Sequence, residues 1–171
     1  MVKQFIANQL LPFLTLLATG IIFFYTFMKL SGYNLSFLKD KGLLFAWIVS
    51  LIAVLGSLFY SEIMGYAPCE LCWYQRILIY PQFIILSVAL IRENKNIFFY
   101  LLPLNMLSAA TSTYHYMVQR ADVATSCSNT AVSCQTSYLF HYGFITIPVM
   151  ALVTAILIVI FTYSAKYEVN H

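Results

Sequence analysis

Charge is so sparse in this chain that the charged residues partition it. No Asp, Glu, Lys or Arg falls between Lys41 and Glu62, which leaves Gly42 to Ser61 as an uncharged run of about the 20 residues that a helix needs to cross a hydrocarbon core. Gln4 to Met28, between Lys3 and Lys29, is a second such run and is nearly all apolar from Leu10 onward. A third, Ile77 to Ile91, holds only 15 residues between Arg76 and Arg92. As a helix it reaches about 22 Å, short of a core of about 30 Å, so a spanning helix here must begin near Trp73 or earlier. Asn96 to Gln119, whose apolar part is Ile97 to Ala110, and Gly143 to Ala165 complete the set.

Composition agrees with the partition. Of 171 residues 61% are hydrophobic and 9% charged, against roughly 25% charged in a soluble domain. Soluble globular, disordered and collagen-like classes therefore drop out. The net charge of +3 comes from nine Lys and Arg scattered singly. No basic stripe exists to follow a phosphate backbone, so nucleic acid is not an expected partner and membrane lipid is. The expected fold is an all-α integral membrane protein. Its helices lie at about 10–28, 42–61, 73–91, 97–118 and 143–165, with Pro12, Pro81, Pro103 and Pro148 as kinks that neighbouring helices tolerate.

Positive charge orients the spans. Lys29, Lys39, Lys41, Arg92, Lys95 and Lys166 fall on one side, and Lys3, Arg76 and Arg120 on the other. The positive-inside bias makes the first side cytoplasmic, including the tail 166–171, and turns the loops 62–72 and 120–142 outward. The first span could instead be a signal peptide, but Lys3 makes a thin basic region and no small-residue cleavage site follows Met28. It is read as an uncleaved helix, with residues 1–41 forming an extra amino-terminal segment.

All four cysteines then fall on the outward side, where disulfides form and persist. Cys69 and Cys72 sit in Pro68-Cys69-Glu70-Leu71-Cys72-Trp73-Tyr74-Gln75-Arg76, and Cys127 and Cys134 in the polar loop Thr125 to Ser137. Structural staples are one interpretation. A zinc site is a second, disfavoured because a second short ligand pair is lacking, so no metal is expected. Redox chemistry is the third. The Cys-x-x-Cys spacing favours it, since so small a loop stabilises little. A helix opening at Pro68 would put Cys69 in its first turn, where the helix dipole favours a thiolate. Cys69, Trp73, Arg76 and Tyr80 line up at helical spacing. Arg76, carried inside the membrane boundary, is a functional candidate rather than a snorkelling side chain. A cation there lowers a thiol pKa, and its donors suit the carbonyl oxygens of a membrane-soluble acceptor such as a quinone.

The run Cys-Glu-Leu-Cys-Trp-Tyr-Gln-Arg, the second cysteine pair two spans later, Gly143-Phe144-Ile145-Thr146-Ile147-Pro148 and Tyr114-His115-Tyr116 resemble the DsbB family of disulfide-generating membrane proteins, in its BdbC-type branch. The resemblance covers residues 42–165. It implies a four-helix transmembrane bundle, here preceded by one extra transmembrane helix. It further implies a thiol:quinone oxidoreductase of the bacterial cytoplasmic membrane. Such an enzyme takes electrons from a secreted thioredoxin-like, DsbA-type oxidase and passes them to ubiquinone or menaquinone. By the same resemblance Cys69 and Cys72 are the quinone-coupled pair, with Cys72 nearest the quinone. Cys127 and Cys134 exchange with the soluble partner, Cys127 forming the mixed disulfide, while Arg76 and His115 border the quinone. The loop from Cys127 to Cys134 is shorter than in the best-known members, which bears on how Cys134 reaches Cys69. Two alternatives stand beside this one. A vitamin K epoxide reductase-like enzyme would carry its loop cysteines before the Cys-x-x-Cys, whereas here they follow. A disulfide-stapled scaffold would resist mild reductants.

Overall fold

The computed structural model describes residues 9–31, 36–121, 134 and 145–166, and apart from an isolated bridge residue, Ile145, its regular elements are helical. Helix α1 spans Leu11–Leu30 and α2 spans Ser36–Leu58, continuing into a π turn at Phe59–Ile63. Helix α3 is Glu70–Ile91; after a short 3-10 turn at Lys95–Ile97 come α4, Phe98–Ala121, and α5, Ile147–Lys166. Cys127 and residues 135–144, including the start expected for the fifth span, lie outside the described residues.

Among the described residues, four segments are long and apolar enough to cross a membrane: α1, Lys41–Ile63, α3 and 147–165. The protein is a multi-pass membrane protein of all-α class. The 22 residues of α3 reach about 33 Å, which resolves the shortfall of the uncharged run 77–91. Helix α4, with 24 residues, is longer still but less apolar on average, because its two faces differ in kind. Phe99, Tyr100, Met106, Leu107, Tyr114 and Met117 are exposed, whereas Asn105, Ser108, Ser112 and His115 are buried. In lipid the apolar face belongs outside and the polar one inside, and a hydropathy average over both hides the span. Gln82 of α3 is fully buried, and among the described residues neither atom of its amide is paired.

Helices α2 to α5 close a four-membered ring in which α2 and α4 each neighbour α3 and α5, and α1 packs outside it against α5. At the end remote from the cysteines the core is aliphatic, built from Leu43, Ala46, Leu86, Leu101, Leu157 and Ile158. The Trp47 indole N–H donates to Ser87 Oγ at 2.8 Å and ties α2 to α3. Helix α2 approaches α5 tightly at Gly42, where an added Cβ would stand 2.5 Å from the backbone oxygen of Phe161. A backbone oxygen held in a helix cannot step aside as a side chain would. Gly42→Ala is therefore expected to destabilise the protein by about 1–3 kcal/mol, measured by thermal unfolding in detergent. A melting temperature equal to the parent's would mean that the two helices separate there without cost.

Candidate functional site

The turn between α2 and α3 positions the first cysteine pair. The π turn replaces i+4 bonding by i+5, as in Met64 N–H to Phe59 O at 3.1 Å. Gly65 then adopts φ +71°, a left-handed conformation that glycine takes without strain. Cys69 is the N-cap of α3, with φ −73° and ψ 173°, and its carbonyl accepts the first helical bond from Trp73 N–H at 3.1 Å. The helix therefore opens two residues after Pro68, not at it. Pro68 supplies an extended approach, and Cys69 stands at the helix mouth rather than within its first turn.

The two sulfurs lie 3.0 Å apart, and Cys69 Sγ is 3.7 Å from His115 Nε2. His115 Nδ1 is 3.4 Å from Gln75 Nε2, and its Nε2 is also 3.5 Å from Gln119 Nε2. Cys69 is 6% exposed, His115 1% and Gln75 4%, so these contacts form away from water. The expectation that the helix terminus favours a thiolate on Cys69 is reversed. Its thiol is pushed up to about 12, first by the hydrogen bond with Cys72 and then by burial, against a smaller opposing bond to His115. In the dithiol form an S–H of one cysteine can donate to the sulfur of the other.

Cys134 is buried, 1% exposed, and packs with Cys69, Leu71, Val118 and Cys72. The sequence put this residue in a watery loop, but the structure brings it against the Cys-x-x-Cys pair. Three of the four cysteines thus meet in one cluster. Cys69 and Cys72 are free thiols.

On the other flank of Cys72 a cavity of about 230 Å³ opens between α1, α2, α3 and α5. Near the cysteines it is lined by Cys72, Gln75, Arg76, Tyr80 and Ser57, and deeper by aliphatic side chains such as Ile52, Ala53 and Leu157. Cys72 and Gln75 belong to both the thiol cluster and the cavity. Arg76 is held in place from two sides: Nη2 donates to Ser57 O at 3.2 Å, and the guanidinium carbon lies 5.4 Å from the Trp73 ring centroid. Ser57 lies two residues before the π turn, where the shifted ladder makes helix carbonyls available to outside donors. The Tyr80 hydroxyl reaches Ser57 Oγ at 3.3 Å. His115 is not among the cavity's lining residues and contacts the thiols instead.

Sequence reasoning did not single out Gln75, Gln119 and Ser57. Gln75 had a signal, since it and Gln82 are amides seven residues apart in a mostly apolar span, and seven residues bring a helix back to the same face.

A volume near 150 Å³ takes a benzene ring, so this cavity admits a substituted six-membered ring with room beyond it. Arg76 and Gln75 carry N–H donors that suit ring carbonyls, and the aliphatic remainder suits a lipid-soluble molecule. A quinone fits this set of residues.

Comparison with known proteins gives the family. The model of the family described as "Disulfide bond formation protein DsbB" matches residues 39–165. "Disulfide bond formation protein C" of Bacillus subtilis is 43% identical over 125 residues, covering 72% of this chain and 91% of that protein. A "Probable disulfide formation protein" of Oceanobacillus iheyensis is 47% identical over 120 residues, 68% of this chain and 82% of the relative. One from Coxiella burnetii is 35% identical over 136 residues, 78% of this chain and 92% of the relative. No solved structure gives a significant match. With its all-α membrane fold and a Cys-x-x-Cys at the mouth of a membrane helix, the chain belongs to the DsbB family, membrane oxidoreductases that generate disulfides.

Proposed function

We propose that this protein reoxidises a secreted thioredoxin-like, DsbA-type thiol oxidase and delivers the electrons to a membrane quinone, ubiquinone or menaquinone. The observation that carries the proposal is the double membership of Cys72, which touches a buried thiol cluster on one side and lines an apolar cavity with an arginine on the other. A soluble dithiol must be met in water, whereas a quinone stays in lipid, so one disulfide cannot easily serve both.

Thiol–disulfide exchange joins the two pairs. A thiolate of the soluble partner attacks Cys127 Sγ of a Cys127–Cys134 disulfide, and Cys134 leaves as a thiolate. The partner's second thiol displaces Cys127 and departs as a disulfide, two electrons having entered the loop pair. Cys134 then attacks Cys69 of a Cys69–Cys72 disulfide, with Cys72 as the leaving thiolate, and Cys127 closes the loop disulfide again. Support comes from Cys134, which is packed beside the pair. When bound, a quinone supplies the oxidant for the resulting dithiol, taking its two electrons and two protons. Arg76 holds a fixed positive charge one turn beyond Cys72, Gln75 offers a neutral donor, and His115 takes or returns the Cys69 proton within the buried cluster. The cysteine pairs face the extracytoplasmic side of a bacterial cytoplasmic membrane, a placement supported by the six-to-three division of basic residues.

The test mixes the purified protein with a reduced thioredoxin-like oxidase and a quinone, and follows quinone reduction spectroscopically. Turnover that needs all three components is expected. Exchange with the oxidase without any reduction of either quinone would overturn the proposal.

A further inference from the structure

The family match begins at residue 39, so α1 precedes it. Its two faces differ. Phe13, Leu17, Phe23, Phe24 and Phe27 are exposed and face the surroundings of the bundle. Leu11, Thr15, Ala18, Ile22, Tyr25 and Lys29, each three or four residues from the next, form the opposite stripe. The inner half of that stripe is fastened to α5, by Tyr25 OH to Ser164 Oγ at 2.8 Å and by Lys29 Nζ 4.3 Å from the Tyr163 ring centroid. At the outer end Leu11 closes over α2, its Cδ2 3.7 Å from the position of a Cβ on Gly56. Between these attachments Thr15 and Ala18 are small, and together with Leu11 and Leu14 they line the cavity that also holds Cys72 and Arg76.

We propose that α1 is a wall of the acceptor site and that Leu14, Thr15 and Ala18 hold the isoprenoid chain of a quinone whose ring lies at Cys72 and Arg76. The proposal rests on the quinone reading above and adds the part of the ligand that α1 recognises. A ring needs only part of the 230 Å³. The remainder is a leg lined by Leu14, Ala18, Ile52, Ala53, Val153 and Leu157, which carry no charge and no hydrogen-bonding side chain, and by Thr15 and Thr154, whose hydroxyls already donate to Leu11 O and Met150 O at 2.9 Å. Such a leg offers a polar ring nothing and an aliphatic chain the burial of each methylene. A chain leaving this cavity passes α1, so α1 residues distinguish quinones by their tails while Arg76 reads their rings.

The test measures equilibrium binding to the full-length protein. Quenching of its tryptophan fluorescence, with Trp73 beside Arg76, is titrated with a naphthoquinone that bears an isoprenoid chain and with the same ring lacking it. Ala18→Trp fills the leg, and Leu14→Ala removes contacts without crowding. Each is expected to raise the dissociation constant of the chain-bearing quinone about tenfold, the equivalent of roughly two buried methylenes, and to leave the chain-free ring within about twofold. Phe24→Ala, on the outer face, is expected to change neither. A photoreactive group on the chain should label residues 11–18. Parent-like affinity for the chain-bearing quinone in both variants, or labelling confined to other helices, overturns the role of α1. So does loss of the chain-dependent difference in excess phospholipid, which would assign the wall to an acyl chain. Absence of quenching by either quinone in the parent overturns the quinone reading itself.

Discussion

Replacing Cys72 by serine should abolish quinone-dependent turnover while leaving the first exchange with the soluble oxidase intact. Cys72 Sγ is 3.0 Å from Cys69 Sγ and lines the acceptor cavity, whereas Cys69 itself is not among the lining residues. Without Cys72 no dithiol faces that cavity, and an alcohol is neither oxidised by thiol–disulfide exchange nor an adequate leaving group. Electrons should stop after one stoichiometric delivery, seen as a burst of oxidised partner with no reduced quinone. Cys127→Ser should show the mirror behaviour. Its Cys69–Cys72 dithiol should still be oxidised when quinone is added, as thiol titration would report, yet no mixed disulfide with the soluble oxidase should form. Full turnover by either single variant, with partner and quinone both present, would sink the two-pair relay.

Much of the fold was legible because lipid imposes a demand that the chain cannot disguise. A spanning segment must shed charge over about 20 residues, so the gaps between Lys41 and Glu62 or Lys3 and Lys29 announce helices before any packing is known. Helix α4 was harder, since its polar residues serve the interior: Asn105, Ser108, Ser112 and His115 read as a weak span until their burial shows that only the other face meets lipid. The start of α3 was misjudged at the level of one turn. Proline at 68 is compatible both with a first helical position and with the extended approach to one, and only the bond from Trp73 N–H to Cys69 O distinguishes them.

Spacing also made the local half of the candidate site visible, namely Cys69, Cys72 and Arg76 within two turns. The other half is held by contacts between distant segments. His115 meets Cys69 and Gln75 across 46 and 40 residues of chain, and Cys134 reaches the pair from a loop whose length suggested restricted access. Local periodicity carries no trace of such contacts. The same holds for α1: its stripe of Leu11, Thr15 and Ala18 reads as ordinary apolar helix, and its relation to Cys72 exists only because α1 and α3 border one cavity.

Arg76→Met should cost about ten- to a hundredfold in quinone-dependent rate, the equivalent of one charged hydrogen bond of about 1.5–3 kcal/mol. The loss should appear mainly in the dependence on quinone concentration. The guanidinium lines the cavity, whereas the proposed relay meets the soluble oxidase at Cys127, so exchange with that partner should stay near the parental rate. Methionine keeps the length and apolar stem but brings no donor for Ser57 O or for a ring carbonyl. Arg76→Lys should recover part of the loss. An ammonium retains the charge, yet it lacks the planar fork that lets one guanidinium bond Ser57 O at 3.2 Å and still present N–H groups to the cavity. It also stacks less well on the Trp73 ring. A merely snorkelling arginine would behave differently: methionine is cheaper than arginine at this depth, so the variant would insert and turn over at least as well as the parent. A quinone-saturation series on both variants, with thermal unfolding as a check on the fold, separates the outcomes. Unchanged kinetics in both would remove Arg76 from the site and leave the cavity without its charged donor.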